Sequence, residues 1–299
     1  MNSWVFFLLV AELIWAVCTI IDKVVISKGH ITNPFVFITA NGFMNLFCFA
    51  IIPFLGISML SVKQFSLVAI YGIFHTVSVI LYYEAVSHDE ISRVKVIDQM
   101  GPVLTYVFAF IFLGEFLTKY MLFGFILFIT AGMFVSVKKS KDKTVISKAV
   151  PYLLIGMVFA AISSVSGKYI YNTTTFWNAF LWLRLSGLCA LLVLLVPRIK
   201  EDFVNTVSKM PITYRKLMAF KMVIDFSAFT FSGYAITKGP IALMSAFAGA
   251  LLPILVFFIA ILLTRYYPNL LKETITKKVL LIKLFSILLV VIGIFLVNI

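Results

Sequence analysis

Apolar runs long enough to cross the roughly 30 Å of hydrocarbon in a bilayer follow one another through this chain with little between them. Ten are present, near residues 3–27, 35–57, 65–86, 92–113, 119–137, 149–171, 176–197, 217–237, 241–264 and 279–298. A chain of 299 residues that is 62% hydrophobic and only 12% charged cannot cover itself with a polar surface. The sequence therefore predicts an all-α integral membrane protein with short connections and no soluble domain. The first run lacks a basic start and an Ala-x-Ala site and is too long for a signal core, so it is read as a retained span.

The formal net charge is +13, but the basic residues flank spans instead of forming a tail. That pattern suits anionic headgroups, and no nucleic-acid partner is expected. Cys18, Cys48 and Cys189 fall within spans, odd in number and without metal-ligand spacing, so they are read as packing residues. No metal and no cofactor is expected. Asn172-Thr-Thr fits a glycosylation sequon but hugs a span end, and is read as fortuitous.

Lysine and arginine number 15 in the connections after odd-numbered spans and 3 after even ones. Taken alone, that count puts the odd connections in the cytoplasm and both termini outside.

The two halves resemble one another. Shifted by 145 residues, AELIWAVCTIIDKVVI (11–26) overlays GMVFAAISSVSGKYIY (156–171), pairing Ala16 with Ala161, Lys23 with Lys168 and, further on, Gly42 with Gly187. The shift drifts to 150, pairing Ala85 with Ala235, and to 151, pairing Pro102 with Pro253. Drift confined to loops marks a diverged duplication. A duplicated unit of five spans re-enters the membrane from the opposite face. The expected architecture is thus ten transmembrane helices as two inverted five-helix repeats, residues 1–140 and 141–299, an arrangement suited to alternating access at a midplane site.

The stretch YYEAVSHDEISRVKVIDQMGPVLTYVFAFIFLGEFLTKYMLFGFILFITAGMFV (82–135) resembles the EamA-type pattern of the drug/metabolite transporter superfamily. An Ala before a polar turn, the mid-helix Pro102, the LGE of Leu113, Gly114 and Glu115, and a Gly-rich next span carry the resemblance, echoed by LIWAVC (13–18) and WLRLSG (182–187). In the second half the position matching Glu115 is Tyr266, so a role needing that glutamate in both halves does not follow. The resemblance implies a transporter with both termini in the cytoplasm, the reverse of the charge count.

Charge also enters the spans, where it costs roughly 2.5–3.5 kcal/mol at the bilayer centre and must face the bundle or a wet cavity. A helix starting near Ile91 puts Lys95, Asp98, Gln99, Pro102, Thr105 and Tyr106 on one face. Lys95 and Asp98, three apart, could equally form a purely structural pair. Asp89 and Arg93 read as a surface pair. Glu12, Trp15, Thr19, Asp22 and Lys23 share a face of the first span, with Glu12 deepest. His75, Ser78 and Tyr82 align in the third, and Ser163, Ser164 and Lys168 lie in the sixth. Arg184, deep in the seventh, needs an acidic or carbonyl partner. Lys221 and Asp225, four apart in the eighth, suit mutual neutralisation. The candidate substrate-binding or coupling residues are Glu12, Trp15, His75, Tyr82, Lys95, Asp98, Gln99, Lys168, Arg184 and Asp225. Spans one, three, four, six, eight and nine are expected to line a central cavity.

HExxH, GxSxG, Asp-rich metal pairs and Cys/His clusters are all missing from the sequence, which argues against an intramembrane enzyme. The expected function is secondary transport of small polar or amphipathic metabolites, such as amino acids or nucleobases, by exchange or ion coupling. The partners are then a small-molecule solute, membrane lipid, and protons or a counter-substrate, for a monomer or weak dimer in the plasma (inner) membrane. The rival is a flippase of a lipid-linked head group, which needs a polar groove open sideways to lipid.

Overall fold

The computed structural model describes residues 2–28, 31, 33–89, 91–136, 148–266 and 277–298. The lysines at 138–143, Lys272 and the expected repeat boundary at 140/141 lie outside the described residues, as does the side chain of Arg93 and with it the expected Asp89–Arg93 pair.

The described residues are helical: α1 (Ser3–Ser27), α2 (Phe35–Met44), α3 (Phe47–Leu55), α4 (Val62–His88), α5 (Ile91–Asp98), α6 (Gly101–Leu113), α7 (Lys119–Ser136), α8 (Ala149–Thr173), α9 (Phe176–Ser186), α10 (Pro197–Lys209), α11 (Ile212–Ile236), α12 (Ile241–Tyr266) and α13 (Lys277–Val297). A 3-10 segment, Gly187–Leu195, continues α9. Eight stretches are long and apolar enough to cross a membrane by length and composition. Helix α7 is apolar but shorter by that measure, and α11 carries Arg215, Lys216, Lys221 and Asp225 along its length.

Three expected spans are interrupted. The second breaks at Asn45 and Leu46 between α2 and α3; the fourth breaks at Gln99 and Met100 between α5 and α6; the seventh tightens from α to 3-10 at Gly187. Pro102 therefore does not kink a continuous helix. It sits in the first turn of α6, where its missing N–H costs no ladder bond. The connection after the seventh span is not a plain short loop either. It carries α10, whose Phe203 stacks on Phe43 at 5.6 Å and whose Asp202 accepts from Asn33 at 2.8 Å.

Lipid tails are as apolar as phenylalanine, so close fit and dispersion, rather than hydrophobic exclusion, hold such helices together. α4 runs along α8, α1 along α11, and α7 along α13. Trp4, Phe128 and Phe247 lock α1, α7 and α12 in one core, while Tyr171, Phe180 and Phe226 join α8, α9 and α11 in another. Gly72 of α4 touches the Ser186 carbonyl where α9 gives way to the 3-10 segment, and a Cβ there would collide with that backbone. The Asn2 N–H donates to Asn298 Oδ1, and the Asn2 amide donates to the Val297 carbonyl at 3.1 Å. Both ends of the described chain thus meet at one face of the bundle.

Candidate functional site

Polar side chains collect in three places along the bundle axis. The first lies where α4 ends and α5 begins, at the end away from the termini. Lys95 Nζ stands 3.4 Å from Asp98 Oδ2 and 4.6 Å from the centre of the Tyr82 ring. These residues, with Ser78, Val79, Tyr83, Gly156 and Met157, line a cavity of about 250 Å³. The expected Lys95–Asp98 pair is present, with side chains 42% and 33% exposed. A neighbouring cavity of about 170 Å³ shares Asp98, Met157 and Ala160 with it and adds Gln99, Pro102, Thr105, Ser164, Ser245 and Gly249. Gln99 donates to the Gly249 carbonyl at 3.3 Å, bridging the break between α5 and α6 to α12. Tyr106 departs from the expected face and packs against Phe125 at 5.8 Å.

The second place is near the middle of α1, α4, α9 and α11. Trp15 Nε1–H donates to Asp225 Oδ1 at 2.8 Å, and the Trp15 ring meets Phe229 edge-on at 5.2 Å. The Arg184 guanidinium lies over the same Phe229 ring, 3.9 Å from its centroid, and donates to the Tyr71 hydroxyl at 2.7 Å. Tyr71 stacks on His75 at 6.0 Å. Arg184 is only 7% exposed, as deep as the sequence reading requires. Its partners are nevertheless a phenol and a ring; among the described residues no acid lies within ion-pair distance. The expected Lys221–Asp225 pair is also replaced. Lys221 reaches across to Asp22 of α1 at 3.0 Å, leaving Asp225 to Trp15. A tertiary neighbour thereby displaces the partner that helical spacing suggests.

The third place is the end that carries the termini. Gly114 adopts φ 65°, a left-handed conformation that ends α6 and turns Glu115 inward. Glu115 Oε2 accepts the Ile241 N–H at 3.0 Å, capping the start of α12. Its Oε1 stands 3.8 Å from Lys168 Nζ. That ammonium also donates to the Gly239 carbonyl at 3.0 Å and to the Ile236 carbonyl, where α11 finishes. One ion pair ties together the α6–α7 connection, α8, α11 and α12, because each charge meets the helix end of opposite polarity.

Of the sequence candidates, His75, Tyr82, Lys95, Asp98, Gln99 and Arg184 line cavities. Trp15 and Asp225 pair behind them, Glu12 is buried at 1% exposure in α1, and Lys168 belongs to the terminal tie. Tyr71, Asn41 and Asn45 line the same cavity and are not among the sequence candidates, although a tyrosine one turn from His75 is a visible signal. The expected lining also leaves out the second and seventh spans, although Asn41, Asn45, Arg184 and Gly187 place both in it.

A solved structure titled only "Crystal structure of protein" superposes with a TM-score of 0.69 at 14% identity, over 99% of this chain and 98% of that one, which establishes a shared fold. No curated protein matches the chain. Residues 2–137 match the sequence model of the EamA-like transporter family. The apolar helices make the protein integral to a membrane and multi-pass, and its residues 2–137 carry the match to that transporter family, which lies within the drug/metabolite transporter superfamily.

Proposed function

We propose that the chain is a secondary transporter of small polar or amphipathic metabolites, such as amino acids, nucleobases or related solutes, working by alternating access in the plasma (inner) membrane. The observation that carries this reading is the pair of confluent polar cavities running inward from Lys95 and Asp98, set against an opposite end tied shut by Glu115 and Lys168. Such an asymmetry is what one half-cycle of alternating access requires.

On this reading α1 to α7 form a first unit with five crossings, residues 1–140. α8, α9 with its 3-10 segment, α11, α12 and α13 form a second, inverted unit, residues 141–299, with α10 lying along the membrane surface. The packing supports it. Exchanging each helix for its counterpart turns the α4–α8 contact into α11–α1 and the α1–α12 contact into α8–α6, and all four are present. The breaks at Asn45 and at Gly187 fall at corresponding places, and interrupted helices near mid-bundle are where transporters of this design bind solute. Adjacent termini agree with an even number of crossings.

Transport of a lipid-linked head group is favoured by one feature, a groove of about 250 Å³ beside α4, α6 and α8. Its walls are Leu67, Ile70, Phe108, Phe112, Leu113, Ile162 and Val165, with Lys63 and Tyr169 as the main polar contributions. That lining suits an acyl chain and not a polar head, so the solute carrier is the better reading. Uptake of a radiolabelled metabolite panel into proteoliposomes tests it. Saturable flux and counterflow support the carrier; scrambling of a fluorescent lipid with no solute flux supports the flippase.

A further inference from the structure

The Arg184 guanidinium offers five N–H donors, of which the described residues engage one through Tyr71, and a ring face covers its plane. Its cavity, about 60 Å³, is walled by Asn41, Asn45, Tyr71, His75, Thr76, Val79, Gly187 and Phe229. At roughly 10–15 Å³ for each water so measured, that holds about four waters, or one small polar head. Asn45 lines the same cavity. Asn45 is 4% exposed, and its Oδ1 has no hydrogen-bond partner. Its orientation is not arbitrary, because Nδ2 donates to the Asn41 carbonyl at 2.9 Å and the flipped amide would set two oxygens against each other. Buried polar groups normally find partners, so spare guanidinium donors and an unpartnered amide oxygen on residues lining one cavity describe what is missing. The missing group carries an anion that accepts from a planar fork and, beside it, a hydrogen-bond donor.

We infer that Arg184 and Asn45 bind the head of a carboxylic acid bearing a donor on the adjacent carbon, an α-amino or α-hydroxy acid. The carboxylate meets the guanidinium, whose fork matches it in two parallel hydrogen bonds. The ammonium or hydroxyl donates to Asn45 Oδ1. Asp225 does not occupy the guanidinium, being engaged by Trp15. The rest of the solute extends past Val79, which also lines the larger cavity holding Tyr82, Lys95 and Asp98.

The meaning of the site rests on the transporter reading, but its test does not need flux. Calorimetry on the purified protein in detergent would compare glycine, serine and lactate with glycinamide and acetamide. The acids should bind and the amides should not. Arg184→Gln should raise the dissociation constant of the acids at least tenfold. Asn45→Leu should weaken glycine, serine and lactate several-fold while leaving acetate, titrated alongside them, unchanged. Should Arg184→Gln fail to fold, modification of the wild-type protein by phenylglyoxal, read by mass spectrometry on the peptide containing Arg184, replaces it. Glycine and lactate should slow that modification, and glycinamide should not. Equal behaviour of acids and amides, or acid binding indifferent to Arg184, overturns the site. Binding that holds with no flux of any solute instead overturns the transporter reading, whereas flux confined to solutes without a carboxylate overturns the site alone.

Discussion

Two lysine–carboxylate pairs mark the opposite ends of this bundle, and they differ in everything but their chemistry. Lys95 and Asp98 are neighbours on one short helix, with side chains 42% and 33% exposed, at the mouth of a cavity. Lys168 and Glu115 come from distant parts of the chain, are 7% and 16% exposed, and each also satisfies backbone groups at a helix end. A local, wet pair is worth a few tenths of a kcal/mol and can open without consequence. A tertiary, buried pair holds four elements in register. Under the transport cycle proposed above, solute would enter where the pair is weak, and opening the other end would require breaking the pair that is strong.

The largest effect should come from breaking the strong end. Lys168→Met leaves the Glu115 carboxylate buried without its counter-charge and frees two carbonyls, a loss of about 3–5 kcal/mol. Accessibility of a cysteine placed at Thr237 to a membrane-impermeant reagent should rise sharply in that variant and stay low in the parent. Exchanging the charges, Glu115→Lys with Lys168→Glu, should not restore closure. The swapped lysine would face the Ile241 N–H and the swapped glutamate the Ile236 and Gly239 carbonyls. Full rescue by the exchange would show that only the ion pair matters.

A smaller effect concerns pH. Burial raises the Glu115 carboxyl above its ordinary 4.5, against the opposing pull of Lys168 and the Ile241 N–H. If opening exposes Glu115 to water, the closed end binds its proton more tightly than the open end. Closure is then most favoured below about pH 4.5, and the preference fades as pH rises through the raised value. The Thr237→Cys accessibility should therefore increase across that acidic window, and Glu115→Gln should flatten the profile.

Least costly to the fold is a change at the weak end. Asp98→Asn with Lys95→Gln should alter the melting temperature little, since the pair is exposed and local. On the proposal that Asp98 takes up a proton or a cationic group of the solute during the cycle, solute flux in proteoliposomes should nevertheless be lost. Wild-type flux and pH dependence in that double variant would reduce the pair to structure.

Much of the scaffold was legible because it depends on length and apolarity. The first expected span, 3–27, and α1 share both limits. The breaks were not legible. GLCALLVLL reads as an unbroken apolar run, and nothing in it but Gly187 hints at 3-10 geometry. Helix α10 could have been read, since Pro197 suits a first turn and Ile199, Phe203 and Val207 recur at helical spacing. At the site, spacing within a helix identified Lys95 with Asp98 correctly but misassigned Lys221. Asp22 lies on another helix, and periodicity carries no information about which helices meet. The same limit hid Glu115 as a partner of Lys168, although the LGE signature had drawn attention to it.

The central claim is that the two ends open in turn. Spin labels at Thr118 and Lys238 report the tied end, and labels at Ser87 and Arg265 report the other. Pulsed dipolar distances should be measured for both pairs with and without a transported solute. The account predicts two populations at each end that exchange reciprocally, one pair lengthening as the other shortens. Distances that stay fixed, or that lengthen together at both ends, would contradict it.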